Sequence, residues 1–151
     1  MAIRDTTKKP FTEDRNSNIF IGIDYPFRKS DGIEGYFTST STTIKAVKNN
    51  IKMLLNIHKG ERLMQPNLGT GLRRFLFEQF TEDTIIAVQN EIIDIFNRWL
   101  PFVEIKELDV SMNESDAVGK NKMTIFILFN IIRDPNSIES VEVEIGETSA
   151  I

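Results

Sequence analysis

With 151 residues, 40% of them apolar and 26% charged, the chain has the size and composition of one ordinary globular domain, which excludes a disordered or fibrous protein. It has no cysteine, so a disulfide framework and thiolate metal or redox chemistry are excluded as well. The net charge of -4 conceals a split: residues 1–40 carry six basic and six acidic side chains, residues 41–74 seven and one, and residues 75–151 five and fifteen, a pattern that points to charged protein partners or to internal pairing.

Residues 1–18 are polar, contain Pro10 and lack a signal-peptide core; they are expected to be a flexible arm, with Phe11 as its candidate anchor, ahead of a single domain over 19–151. A β-rich run predicts a strand over 19–23, ended by Tyr25-Pro26, and Gly32 and Gly35 mark turns. The Ser/Thr run 38–43 offers hydroxyl caps for a helix in which Ile44, Val47, Ile51, Leu54 and Leu55 form the apolar stripe, while Lys45, Lys48, Asn49 and Lys52 face water. Gly60 is expected to end this helix in the left-handed conformation, with His58 and Lys59 in its last turn.

The following stretch, 59–78, packs glycines, a proline, arginines and glutamates between two helices and reads as a shaped loop. It closes in a short helical turn, 72–77, burying Leu72, Phe75 and Leu76. Thr81 then caps a second long helix with Glu82 and Asp83 in its first turn, a stripe of Ile85, Val88, Ile92, Ile95 and Trp99, and Pro101 as its stop. The last third alternates with period two. A strand over 103–110 with Leu108 out of phase suggests a bulge, and 112–121 reads as a loop. Residues 122–132 are apolar on both faces, as in a strand covered on both sides, 134–137 reads as a turn, and 138–145 as a third strand. The predicted fold is α+β: two main amphipathic helices and a short one, packed on a small C-terminal antiparallel sheet of about three strands. The apolar run at 125–132 is too short to cross a bilayer, so no membrane insertion is expected.

Catalysis would require a nucleophile, a base or a metal site. The chain has no G-x-S-x-G, no P-loop and no histidine pair, and its single histidine, His58, reads as a helix-end residue. Glu61 and Glu78 leave a glycosidase reading open, since that chemistry needs two carboxyl groups about 5–10 Å apart, one of them protonated. Arg62, Arg73 and Arg74 beside them favour the ionised form, and so favour ion pairs that shape the loop or dock a partner. Lys45, Lys48 and Lys52 admit nucleic-acid binding, although a solvated helix face accounts for them. No catalytic residue, metal ligand or cofactor is assigned.

Gly60-Glu61-Arg62-x-Met64-x-Pro66-x-x-Gly69-x-Gly71-Leu72-Arg73-x-x-Leu76-Phe77-Glu78, with an amphipathic helix on either side and a strand region after it, resembles the short baseplate wedge protein of contractile phage tails and type VI secretion baseplates, a family historically labelled lysozyme-like. The resemblance covers roughly residues 40–146. It implies a non-enzymatic component of the virion tail baseplate, assembled in the host cytoplasm, that binds other wedge proteins through the loop and initiates the sheath. It further implies tail sheath protein as a partner, with tail tube or hub proteins beyond it and no nucleic acid. Glu61, Arg62, Gly69, Gly71, Arg73, Arg74 and Glu78 become the candidate wedge contacts; relatives often follow the last glutamate with Pro-Arg, where this chain has Gln79-Phe80. The last strand supplies a second candidate surface. Val141, Glu142, Val143, Glu144 and Ile145 would form an edge whose glutamates discourage self-pairing and leave it open to a basic strand, as sheath subunits adding by β-augmentation would require; an edge charged only against aggregation is the alternative.

Overall fold

The computed structural model describes residues 11, 14, 19–30, 36–79, 81–115 and 120–146. The chain divides into two compact units, Met1–Asn50 and Ile51–Ile151.

In the first unit, β1 (Gly22–Ile23) pairs antiparallel with β2 (Ser39–Thr40), Gly22 lying opposite Thr40. The strand expected over 19–23 is thus confined to its last two residues, although the Ile21 amide still donates to the Thr40 carbonyl at 2.8 Å. Gly32, Gly35 and all of 1–18 except Phe11 and Asp14 lie outside the described residues. Phe11 and Asp14 are both buried. Helix α1 (Thr43–Asn56) receives a distant cap: the Thr43 amide and hydroxyl both donate to Asp14 Oδ1, at 2.7 and 2.9 Å. A carboxylate serves here where a Ser/Thr hydroxyl was expected, and its charge suits the positive end of the helix. Asn49 does not face water. It is buried, and its Nδ2 donates to Asp24 Oδ1 at 3.1 Å, while Lys48 is half-buried.

In the second unit, α1 ends at Asn56, one turn earlier than Gly60 suggested, so His58 and Lys59 lie beyond its last turn. The chain leaves the helix because Thr70 captures its final carbonyls, as described below. A 3₁₀ helix (Leu72–Phe77) buries Leu72, Phe75 and Leu76 as expected. Helix α2 (Glu82–Trp99) starts at Thr81, whose hydroxyl accepts from the Thr84 amide. Its buried stripe is Thr84, Val88, Ile92, Ile95 and Phe96; Ile85 and Trp99 are only half-buried.

Strands β3 (Val103–Ser115), β4 (Lys120–Ile131) and β5 (Asp134–Gly146) form an antiparallel meander in the order β3-β4-β5. The bulge falls between Ile105 and Glu107, just ahead of Leu108. Two loop expectations are overturned. β3 runs through Ser115 and β4 resumes at Lys120, so most of 112–121 is a paired hairpin, and Asp134 already pairs with Ile131, which places 134–137 at the irregular start of β5. One face of the sheet is buried: Met123, Ile125, Ile127, Phe129 and Ile131 from β4 align with Val110 and Val103 on one side and Ile145, Val143 and Val141 on the other. The 3₁₀ helix and α2 supply the cover; Asn121 Nδ2 donates to the Leu76 carbonyl at 2.7 Å, and Gln89 Nε2 to that of Leu108 at 3.3 Å. The opposite face is open, with Phe126 37% exposed, so β4 is not covered on both sides. An antiparallel sheet tolerates one wetted face.

Candidate functional site: a braced loop and an open strand edge

The 59–78 loop is closed at its base by Thr70. Its amide donates to the Ile57 carbonyl at 2.8 Å and its hydroxyl to that of Leu55 at 3.0 Å, while the Lys59 amide returns a bond to the Thr70 carbonyl. Gly69 makes this closure possible. It has φ +109°, and a Cβ there would stand 2.4 Å from the Ile57 carbonyl oxygen, so only glycine lets the two backbones approach so closely. Within the loop the Gly60 amide bonds the Pro66 carbonyl and the Gln65 amide that of Arg62, so the tip is itself a run of tight turns.

The loop's second brace comes from α2 and was not foreseen. Glu91, with a side chain only 10% exposed, accepts from the Gly71 amide at 2.8 Å and Lys59 Nζ at 3.3 Å through Oε1, and from the Arg74 guanidinium at 3.0 Å through Oε2. Gly71 has an ordinary backbone, with φ -100°; its lack of a side chain matters because a Cβ would press on Glu91 Oε1 at 3.0 Å. The sequence held a signal for Glu91: it stands three residues after Val88 and four before Ile95, on the spacing of the buried stripe, where a carboxylate needs partners.

The expected contact residues therefore separate into two groups. Gly69, Gly71 and Arg74 maintain the loop internally. Glu61 also helps: its Oε2 accepts from the His58 amide at 2.9 Å. Arg73 is half-buried, whereas Arg62 and Glu78 are exposed. The tip carries apolar side chains beyond the expected contact residues: beside Arg62, Leu63 and Met64 are 96% and 95% exposed, and Phe77 at the far end is also turned to water. Two adjacent apolar residues within a polar loop were the available signal.

Glu61 and Glu78 are both exposed, without the apolar enclosure that a glycosidase gives its acid. Among the described residues no group of His, Asp or Glu is placed to hold a metal ion, and no helix is long and apolar enough to cross a membrane. The α1 lysines do not form a free basic row, because Lys45 pairs with Asp24 at 2.9 Å and Lys48 and Lys52 are half-buried. In β5, Val141, Val143 and Ile145 are buried, Glu142 and Glu144 are exposed, and among the described residues the strand pairs with β4 alone.

The class these elements belong to, by the family match over most of them, is that of structural components of contractile-tail baseplates. The chain belongs to the family described as baseplate wedge protein gp25, whose model matches residues 41–136. It is 22% identical to the baseplate wedge protein gp25 of Enterobacteria phage T4 over 113 residues, covering 75% of this chain and 83% of that protein. Two solved structures share the fold at 20% identity. One is a crystal structure from Geobacter sulfurreducens, provisionally described as a tail lysozyme (TM-score 0.62; 76% of this chain, 99% of that one). The other is a chain of the six-fold symmetrised cryo-EM structure of the anti-feeding prophage baseplate (TM-score 0.51; 81% of each chain).

Proposed function

We propose that the protein docks on other baseplate wedge proteins through the tip of the 59–78 loop, works without catalysis, and starts the tail sheath by accepting sheath strands along the free edge of β5. The observation that carries the docking reading is the nearly complete exposure of Leu63 and Met64 on a loop whose base is held by Thr70 and Glu91. A rigid loop loses little conformational freedom on docking, and burying these two side chains contributes about 1.5–3 kcal/mol each. Arg62 beside them supplies a charged contact that orients the tip. The edge reading rests on β5 being fixed in register by Val141, Val143 and Ile145 while its outer side lacks a strand among the described residues. On this reading the protein resides in the tail baseplate, is assembled in the host cytoplasm, and has tube or hub proteins as more distant neighbours.

The test is assembly with Arg62→Ala and with Leu63→Ser/Met64→Ser. Both variants are expected to melt with the parent and to be missing from purified baseplates. Normal incorporation of both would remove the loop from the docking role. The provisional lysozyme description of one similar structure raises a hydrolase reading; purified protein is expected to leave peptidoglycan intact, and turnover lost in Glu61→Gln or Glu78→Gln would establish catalysis instead.

A further inference from the structure

The open face of the β3-β4-β5 sheet carries a pattern unrelated to the loop or the β5 edge. Cross-strand register places Asp109, Phe126 and Glu142 in one row, Glu107, Leu128 and Ser140 in the next, and Ser111, Thr124 and Glu144 in the row on the other side. An aromatic ring 37% exposed thus stands between two carboxylates, with Leu128 beside it and Ile138, 57% exposed, one row further on. Glu104, also on this face, is already satisfied. It pairs with Lys106 at 2.9 Å, and that hydrogen bond, with the lysine's charge and the Asn130 amide, holds its carboxyl below the usual range. Glu107, Asp109, Glu142 and Glu144 have no ion-pair partner among the described residues; the exposed Lys122, opposite Gly146, stands one row beyond Thr124 and Glu144.

We infer that this face is a docking surface for a basic amphipathic helix of a partner protein, its border arginines meeting Asp109 and Glu142 and one of them leaning in over Phe126. Charge complementarity selects the occupant. Four unpaired carboxylates repel nucleic acid, an anionic membrane and the same face of a second copy, but attract a segment with arginine on both borders of an apolar stripe. A guanidinium stacks on an aromatic face and bonds carboxylates in its own plane, which a row of carboxylate, ring and carboxylate provides. Geometry favours a helix over an extended segment. The carboxylates of β3 and those of β5 lie two inter-strand spacings of about 4.8 Å apart, and a helix is about 10 Å across. A strand laid on a sheet face would leave its backbone groups unpaired, whereas a helix satisfies its own.

The full-length protein is titrated with a synthetic 18-residue helical peptide bearing leucines on one face and arginines on both borders. Two controls accompany it: the peptide with glutamate for every arginine, and a peptide of the same composition with the pattern scrambled. Saturable binding is expected for the arginine helix alone, weakening with salt. Phe126→Ser, and separately Asp109→Asn/Glu142→Gln, are expected to weaken it about tenfold, the loss of a stacked cation and two exposed charge contacts. Both substitutions are at exposed positions, and circular dichroism and melting curves confirm that the variants are folded. Arg62→Ala and Leu63→Ser leave binding unchanged, which separates this surface from the loop. No binding, equal binding by the scrambled peptide, or undiminished binding by the folded variants would overturn the assignment. So would self-association of the parent abolished by Phe126→Ser, because the occupant would then be a second copy.

Discussion

Glu91 gathers three donors that reach it from separate parts of the loop. Its ion partners Lys59 and Arg74 have side chains 55% and 65% exposed, so water screens those pairs to about 0–1 kcal/mol each. The Gly71 amide matters more, because an amide deprived of its acceptor costs about 1–3 kcal/mol. Glu91→Ala is therefore expected to lower the melting temperature by about 4–10 °C, at about 2–4 °C per kcal/mol for a chain of this size. Glu91→Gln keeps an acceptor for Gly71 and should lose less than half as much; equal losses in differential scanning calorimetry would assign the effect to charge instead. Gly60 and Gly69, both left-handed, make a second paired comparison. Gly60 has φ +88° and open space around it, so Gly60→Ala costs only the backbone strain, about 1–2 kcal/mol. Gly69→Ala adds a collision with the Ile57 carbonyl to the same strain, and is expected to be clearly more destabilising in urea unfolding. Equal costs would mean that the loop base is not closed in solution.

At the scale of elements, the start of α1 depends on carboxylates remote in sequence. Asp24 accepts from Lys45 Nζ, Asn49 Nδ2 and the Tyr25 amide, and the Lys45 hydrogen bond is the main cause holding its pKa below 3.8. Its folded value is depressed, so its stabilisation is present above the unfolded value of 3.8 and is lost as the pH falls through the folded value. Asp24→Asn is expected to flatten the acid limb of the stability curve below that pH while changing its shape little above it. Urea unfolding of parent and variant over a pH series measures this, and parallel acid limbs would exclude Asp24. The same residues explain what could be read from the sequence. The 3₁₀ helix and α2 were legible because local chemistry sets them: apolar spacing buries Leu72, Phe75, Leu76, Val88 and Ile92, and Thr81 caps its own helix. The partners of Asn49 and Glu91 were not, because they arrive through tertiary contacts from Asp24 and Gly71. The end of the β3–β4 hairpin carries no strand pattern in its sequence, since cross-strand pairing, not side-chain alternation, holds the polar residues there. In the candidate site the glycines and charges were legible by type, but their division into internal braces and an exposed tip required the fold.

For the molecule as a working part, the proposed addition of a sheath strand at β5 makes a demand that the loop does not. Val141, Val143 and Ile145 belong to the core, so truncating the strand would unfold the sheet and test nothing about the edge. Hydrogen exchange tests it with the chain intact. Within 141–145, amides of alternate residues point toward β4 and are bonded in the isolated protein; the others point outward, where no strand among the described residues pairs with them. A sheath strand would bond the outward set and leave the inward set as it was. In assembled tails the outward amides are therefore expected to exchange more slowly, by about a hundredfold if the added strand is held by about 3 kcal/mol. Baseplates without sheath should show the fast exchange of the free protein. Protection at every residue of 141–145 would indicate burial by a covering surface instead of a paired strand. Unchanged exchange in sheathed tails would exclude the β5 edge as the place where the sheath begins.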